Sequence, residues 1–244
     1  EVVRGQGALQ YGPQFGGLVN YILRNGSEIS KKFEFETQQT TGSNALFNSY
    51  NAVGGKAGRW HYYSFFDHRN GDGWRNNSRY FTNAGFGTVT YYFTTKFSLT
   101  AETMLSHIRS QQPGGLTDAR LQAEAQESFR QRNWFDITWT TPALIANYQI
   151  NEHTKWNTKL FATIGNRNSS GFLQSITTAD SINTSTLHYN NRVVNIDRYR
   201  NYGLESRILT NYHLGKTENT FSGGIRLYTG TTYRQADGKG TAGT

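Results

Sequence analysis

Along the chain, apolar and polar residues alternate with a period of two in nine separate segments. Phe33 and Phe35 alternate with Lys32, Glu34 and Glu36, and Phe97, Leu99, Ala101 and Leu105 alternate with Ser98, Thr100, Glu102 and Ser106. The same pattern sets Trp156, Leu160, Ala162 and Ile164 against Lys155, Asn157, Lys159 and Thr163. Further on, Tyr202, Leu204, Ile208, Tyr212 and Leu214 alternate with Asn201, Glu205, Arg207 and Asn211, and Phe221, Ile225 and Leu227 with Ser222 and Arg226. The segments near 59–68, 80–93 and 133–150 carry a noisier version, and the one near 45–53 the weakest. Successive strand side chains point to opposite faces, so these segments predict strands lying between a nonpolar medium and water. Glu34, Glu102, Asn157, Glu205 and Arg226 are expected on the watered face.

A β-sandwich shows the same alternation, and the connections separate it from a barrel. The expected connections are 41–44, 54–58, 69–78, 94–96, 110–132, 151–154, 165–198 and 215–219. After the first, short and long alternate strictly, which an up-and-down barrel with tight turns at one end and long loops at the other produces and a Greek-key sandwich does not. Aromatic residues gather at strand ends, as at Trp60, Tyr62, Tyr63, Tyr91 to Phe93, Trp134 and Trp139, where membrane-interface girdles place them. The expected fold class is therefore all-β, a transmembrane antiparallel up-and-down β-barrel. An odd number of strands leaves an unpaired edge that lipid does not tolerate, so the stretch is read as part of a larger barrel.

Composition agrees once the barrel is considered. Gly (26), Tyr (15) and Phe (15) are abundant and Pro (3) and Met (1) scarce, which favours strands. No run approaches the length of a spanning helix. The mean hydropathy of −0.68 would suit a water-soluble protein, but a barrel turns only alternate residues to lipid. Cysteine is absent, which excludes disulfides and thiolate metal sites. The net charge of +8 comes from Lys and Arg dispersed among acidic residues, not from the continuous basic stripe of a nucleic-acid binder.

The first segment, EVVRGQGALQYGPQFGGLVNYILRNG from Glu1 to Gly26, joins a Val-Val-Arg-Gly step, a Tyr-Gly-Pro turn and a Gly-Gly pair to a short apolar strand, Leu18 to Leu23. It resembles the last stretch of the plug domain of TonB-dependent outer-membrane receptors. HRNGDGWRNNSRYF from His68 to Phe81 and QQPGGLTDARLQAE from Gln111 to Glu124 resemble loops of the ferric citrate receptors within that class. The resemblance implies residues 1–30 as the C-terminal part of a plug and 31–244 as the first part of a barrel of about 22 strands. It implies a Gram-negative outer-membrane receptor that imports a ferric chelate, with ferric citrate the leading cargo, driven by the TonB-ExbB-ExbD complex and surrounded by outer-membrane lipid and lipopolysaccharide. No cofactor is expected apart from the chelate as ligand, and no enzyme activity. The arginine of the VRG step, Arg4, resembles one that locks the plug to barrel glutamates. Alternatives are the same fold carrying another siderophore, cobalamin or a carbohydrate, or a passive porin, adhesin or enzyme of the outer membrane.

An anionic, carboxylate-rich ferric citrate calls for guanidinium forks. The available loop and strand-end arginines are Arg109, Arg120, Arg130, Arg132, Arg167, Arg192, Arg198 and Arg200. Arg167, Arg192, Arg198 and Arg200 are the expected ligand-binding set, since the fourth outer loop and its flanking strands would place them over the lumen. Competing roles are surface solubility and contact with lipopolysaccharide phosphates. His61, His68 and His107 lie at unrelated strand positions without an HExxH spacing, and no GxSxG elbow accompanies Asp67 and Asp72, so neither metal ligation nor hydrolytic catalysis is indicated.

Overall fold

The computed structural model describes residues 2–3 and 16–239. A small antiparallel pair, β1 (Val2–Val3) and β2 (Leu18–Val19), precedes the main body. The main body is one antiparallel meander: β3 (Glu34–Gly42), β4 (Leu46–Ala57), β5 (Trp60–Gly71), β6 (Tyr80–Tyr92), β7 (Phe97–Gln111), β8 (Trp134–Gln149), β9 (Thr154–Gly171), β10 (Val193–Leu214) and β11 (Thr217–Lys239). Each strand pairs with its sequence neighbours, giving a 9-stranded sheet in chain order. A short helix, α1 (Asp118–Ala123), sits in the β7–β8 loop, where the Thr117 hydroxyl caps it by accepting from the Arg120 backbone N–H at 3.3 Å.

The register makes the face of every residue explicit. One row crosses eight strands as Lys56, His61, Thr90, Thr100, Ile145, Lys159, Glu205 and Arg226. The row beside it on the opposite face runs Gly55, Tyr62, Val89, Ala101, Leu144, Leu160, Leu204 and Leu227. The first is dominated by polar groups and the second by apolar ones, which is the binary pattern read from sequence. Glu34, Glu102, Asn157, Glu205 and Arg226 share the polar face, as expected.

That polar face is the inner one, because the chain leading into β3 packs on it. Ile29 joins Ala52, Tyr63 and Phe86 in a small buried cluster flanked by Tyr50 and Phe65. Arg24 hydrogen-bonds Glu28 at 3.0 Å and Glu36 at 2.9 Å, lies 3.9 Å from Glu34 and sits over the Tyr63 ring. The Glu28 hydrogen bond, against the opposing effect of burial, holds the Arg24 guanidinium above its ordinary range. On the outer face nothing described covers the apolar row: Leu160 is 51% exposed and Leu227 60%. A soluble sandwich would have buried this face against a second sheet.

The short connections 58–59, 93–96, 150–153 and 215–216 lie at one end of the sheet, and 43–45, 72–79, 112–133 and 172–192 at the other. Gly58 and Gly215 supply the left-handed backbone that the two shortest turns need. The asymmetry is the expected one, but the last long loop is shorter than expected. Residues 165–171 and 193–198 are strand, so Arg167 and Arg198 stand on paired backbone and not in a loop. Residues 166–171 carry no apolar side chain, and 193–198 alternate only through Val194 and Ile196, so the pattern is weak there while hydrogen-bonded pairing continues. β8 hides a second irregularity. Pro142 has no N–H to donate, and the β8–β9 ladder has no paired positions at Thr141 and Pro142.

Two inner-face glycines sit under rings: Gly203 faces Phe161 and Gly165 faces Trp139, each closer than a Cβ could approach. Gly203→Ala must displace Phe161 and should destabilise the folded chain by about 1–3 kcal/mol in urea titration. An unchanged unfolding midpoint would show that the ring does not need the glycine.

Candidate ligand-binding surfaces at the long-loop end

The long loops are tied together by arginines that donate to backbone carbonyls. Arg130, 5% exposed, donates from Nη1 to the carbonyls of Phe129 at 3.1 Å and Thr178 at 2.7 Å, and from Nη2 to those of Gln174 at 2.7 Å and Ser175 at 2.9 Å. Its guanidinium thus joins the β7–β8 loop to the β9–β10 loop and lies over the Phe172 ring. Arg132 grips the buried Asp180 carboxylate in a bidentate fork, Nε to Oδ2 at 3.0 Å and Nη2 to Oδ1 at 2.7 Å, and stacks on Tyr189. Arg75 reaches from the β5–β6 loop to the carbonyls of Gly114 at 2.8 Å and Glu127 at 2.7 Å. Arg120 pairs with Glu127 at 3.0 Å. These groups hold the loops to one another.

Below the loops the two faces of the sheet present different chemistry. On the inner face, Asp197 accepts a bidentate pair from Arg234, Nε to Oδ1 at 2.8 Å and Nη2 to Oδ2 at 3.3 Å. Arg167 approaches the same carboxylate at 3.7 Å, and the Tyr199 hydroxyl donates to it at 3.3 Å. Arg167, Ser169, Asn195, Asp197, Arg234 and Ala236 line a recess of about 300 Å³ there. The Asp197 side chain is 5% exposed while those of Arg167 and Arg234 are 46% and 61% exposed, so two cations present themselves to solvent around one sequestered anion.

The outer face holds a second, larger basic recess of about 670 Å³. Arg109, Arg192, Arg198 and Arg200 line it together with Asp136, Asn166 and Asn168. Arg109 lies over the Trp134 ring, and Arg200 donates to the carbonyls of Tyr199 at 2.8 Å and Gly165 at 3.3 Å. Burial, with the neighbouring Arg132 cation, presses the Arg192 guanidinium below its ordinary range, and Asp180 opposes that.

The four arginines expected to bind one ligand therefore do not converge. Arg167 belongs to the inner face, whereas Arg198 and Arg200 alternate with it in the register and stand on the outer face beside Arg192. The expectation places all four over the lumen from the loop and its flanking strands, and strand parity turns Arg198 and Arg200 to the other face. Arg4 lies outside the described residues. The sequence pattern does not single out Arg234 or Arg24, although Arg234 directly follows Tyr233 and Arg24 directly follows the apolar run Tyr21 to Leu23. Among the described residues no cluster of three or more His, Cys, Asp or Glu is placed to hold a metal ion. No described helix is long and apolar enough to cross a membrane, which says nothing about strands.

No family model matches the sequence, and no curated protein matches it either. Among solved structures, the chain is similar to the ferric citrate transporter FecA in its unliganded form, with a TM-score of 0.75 and 23% sequence identity over 97% of the chain. The chain spans 35% of the length of that protein. The likeness is one of fold: an all-β wall of antiparallel strands of the kind that transporter has.

Removing one partner of a buried pair exposes the cost of the other. Asp180→Ala leaves Arg132 without its carboxylate and should cost about 3 kcal/mol locally, seen as rapid proteolysis within 172–192 while the strands stay protected. Cleavage no faster than in the parent chain would show that the Arg130 carbonyl contacts hold the loop unaided.

Proposed function

We propose that this chain forms the plug end, residues 1–30, and the first barrel wall, residues 31–244, of a TonB-dependent outer-membrane receptor that imports a ferric chelate, with ferric citrate the first candidate. The observation that carries the reading is the uncovered apolar face of a continuous 9-stranded sheet whose fold is shared along 97% of the chain with a ferric citrate transporter. Soluble monomers rarely leave so large an apolar patch to water. Along β7 the outer-face run from Phe97 to Leu105 is about 26 Å of strand, close to the height of a barrel's lipid band. At the short-turn end a chain of rings passes from Trp60 to Tyr91, Phe93, Phe97 and Tyr148 with centroids 4.5, 4.7, 5.3 and 6.1 Å apart. Such a girdle suits the periplasmic interface, with the long loops outside the cell.

The inner face is suited to water and ions. Lys159 pairs with Glu102 at 3.5 Å, Arg226 with Glu205 at 3.1 Å, and the Thr90 and Thr100 hydroxyls meet at 2.7 Å. In lipid, both sheet edges would need further strands to close the lumen. Within that lumen, Arg167 and Arg234 are the cations placed to meet an anionic chelate near the loops, and the energy for its passage would come from the TonB-ExbB-ExbD complex.

Titration of the receptor with ferric citrate tests the cargo. Arg167→Ala should weaken binding by roughly one to two decades if a charge-assisted contact of about 1.5–3 kcal/mol is lost. Arg198→Ala should leave it unchanged. Absence of binding by the parent receptor would redirect the search to another siderophore, cobalamin or a carbohydrate, and uptake that persists in cells lacking the TonB complex would mean a passive porin.

A further inference from the structure

We propose that residues 24–32 are an anchor that stays on the barrel wall when the plug is displaced, so that the joint between moving and fixed chain lies at 20–23 and not at the start of β3. The inference rests on the reading of residues 1–30 as the end of a plug that the TonB complex pulls. It begins from an abrupt change in how the incoming chain is held. Residues 20–25 form neither strand, helix nor turn, and the side chains of Tyr21 and Ile22 are 82% and 80% exposed. Gly26 and Ile29, a few residues on, are buried.

From Gly26 onward the chain is fitted to β4 and β5. Gly26 lies on the Tyr62 backbone, closer than a Cβ could approach, and takes the left-handed φ of +82° that suits glycine. Its carbonyl accepts from the Ile29 N–H at 3.2 Å, closing a turn that delivers Ile29 to Ala52, Tyr63 and Phe86. The Lys31 carbonyl accepts from the Lys56 N–H at 2.9 Å. The Lys32 carbonyl accepts from the Tyr62 hydroxyl at 2.8 Å and stands against Gly55, where a side chain would not fit. Arg24 closes the upstream end through Glu28 and Glu36. Glu36, Ala52, Tyr63 and Phe86 belong to β3, β4, β5 and β6, so the segment is tied across four strands. Burial of Ile29 carries more of this than Arg24, whose side chain is 41% exposed and whose ion pairs water weakens.

Upstream the hold is slight. β1 and β2 share two residue pairs, Val2 with Val19 and Val3 with Leu18. Structure opens in order of local stability, so a pull from the N-terminal side parts β1 from β2, straightens 20–23 at little cost in buried surface and halts at Arg24. The halt protects the wall. A load that reached β3 would fall on a strand of nine residues and strip it from β4, opening a sheet edge that lipid does not tolerate. The mechanical boundary of the plug therefore precedes its boundary in sequence by several residues, and the anchored segment gives the displaced chain a fixed point to which it returns.

The test is single-molecule force spectroscopy on the full receptor in a lipid bilayer, pulled by a handle at Glu1→Cys, reading the chain length released before the barrel gives way. The expected release ends near residue 23, with a separate rupture at higher force when 24–32 leave the wall. In the Arg24→Ala, Ile29→Ala double variant the release should run on to β3 in one step, lengthening it by about ten residues, roughly 35 Å of extended chain. Tyr21→Ala, upstream of the anchor, and the conservative Ile29→Val should each keep the parent stop, with β-sheet circular dichroism confirming that every variant folds. A parent release that runs to β3 without a stop would overturn the proposal, as would an unchanged stop in the folded double variant. TonB-dependent uptake by a parent whose release shows no stop would refute the anchor while sparing the transport reading. A stop near residue 23 in a receptor whose uptake does not need the TonB complex would do the reverse.

Discussion

Everything in this molecule follows from one geometric constraint, the exact period of two of side chains on a continuously hydrogen-bonded antiparallel sheet. From β3 to β11 the register passes from neighbour to neighbour with one shift, between Val194 and Ile196 at the long-loop end of the β10–β11 ladder, so choosing a face for one residue fixes it for every residue of the wall short of that point. A one-residue slip anywhere would carry Lys159 or Glu205 onto the apolar side, and burying an unpaired charge there costs far more than the lost ladder bonds. The single irregularity in the β8–β9 ladder, at Thr141 and Pro142, keeps the count: Thr140 pairs with Ile164 and Ala143 with Phe161. Proline removes a donor there without shifting the faces.

That constraint also explains how far the sequence could be read. Where one face meets a nonpolar medium, alternation is a strong signal, and Phe97 to Leu105 or Trp156 to Ile164 announced their strands and faces plainly. Near Asn166 to Gly171 no hydrophobic contrast remains and a paired strand looks like a polar loop, while Val194 and Ile196 alternate with Asn195 and Asp197 over too few residues to stand out. A loop arginine can turn either way and a strand arginine cannot, so Arg198 and Arg200 follow the parity of β10 to the outer face. Helix α1 is absent from the sequence reading because its six residues give too little periodicity to stand out. The contacts of Arg24 and Arg130 depend on chain segments far apart in sequence, and nothing local encodes them.

The arginines divide by what surrounds them. Arg75, Arg130 and Arg132 spend their donors on carbonyls and one buried carboxylate, which orders three loops into a single cap. Arg24 does comparable work at the start of the wall, joining the incoming chain to Glu36 on the inner face. Arg167 and Arg234 share Asp197 and keep a net positive charge toward the interior. Arg109, Arg198 and Arg200 face the other way. A guanidinium is never neutral at physiological pH, so each of these roles is set by geometry alone.

The central claim, that parity divides a lipid face from a watered one, is tested most directly by nitroxide scanning along β7 in reconstituted bilayers. The chain contains no cysteine, so single cysteines from Phe97 to Arg109 can be spin-labelled without background. Accessibility to oxygen, which concentrates in lipid, should peak at 97, 99, 101, 103 and 105, and accessibility to a water-soluble nickel chelate should peak at the intervening even positions. From His107 onward the oxygen maxima should fade as the outer face leaves the apolar band. A profile without a two-residue period, or with oxygen maxima at Ser98, Thr100 and Glu102, would contradict the account.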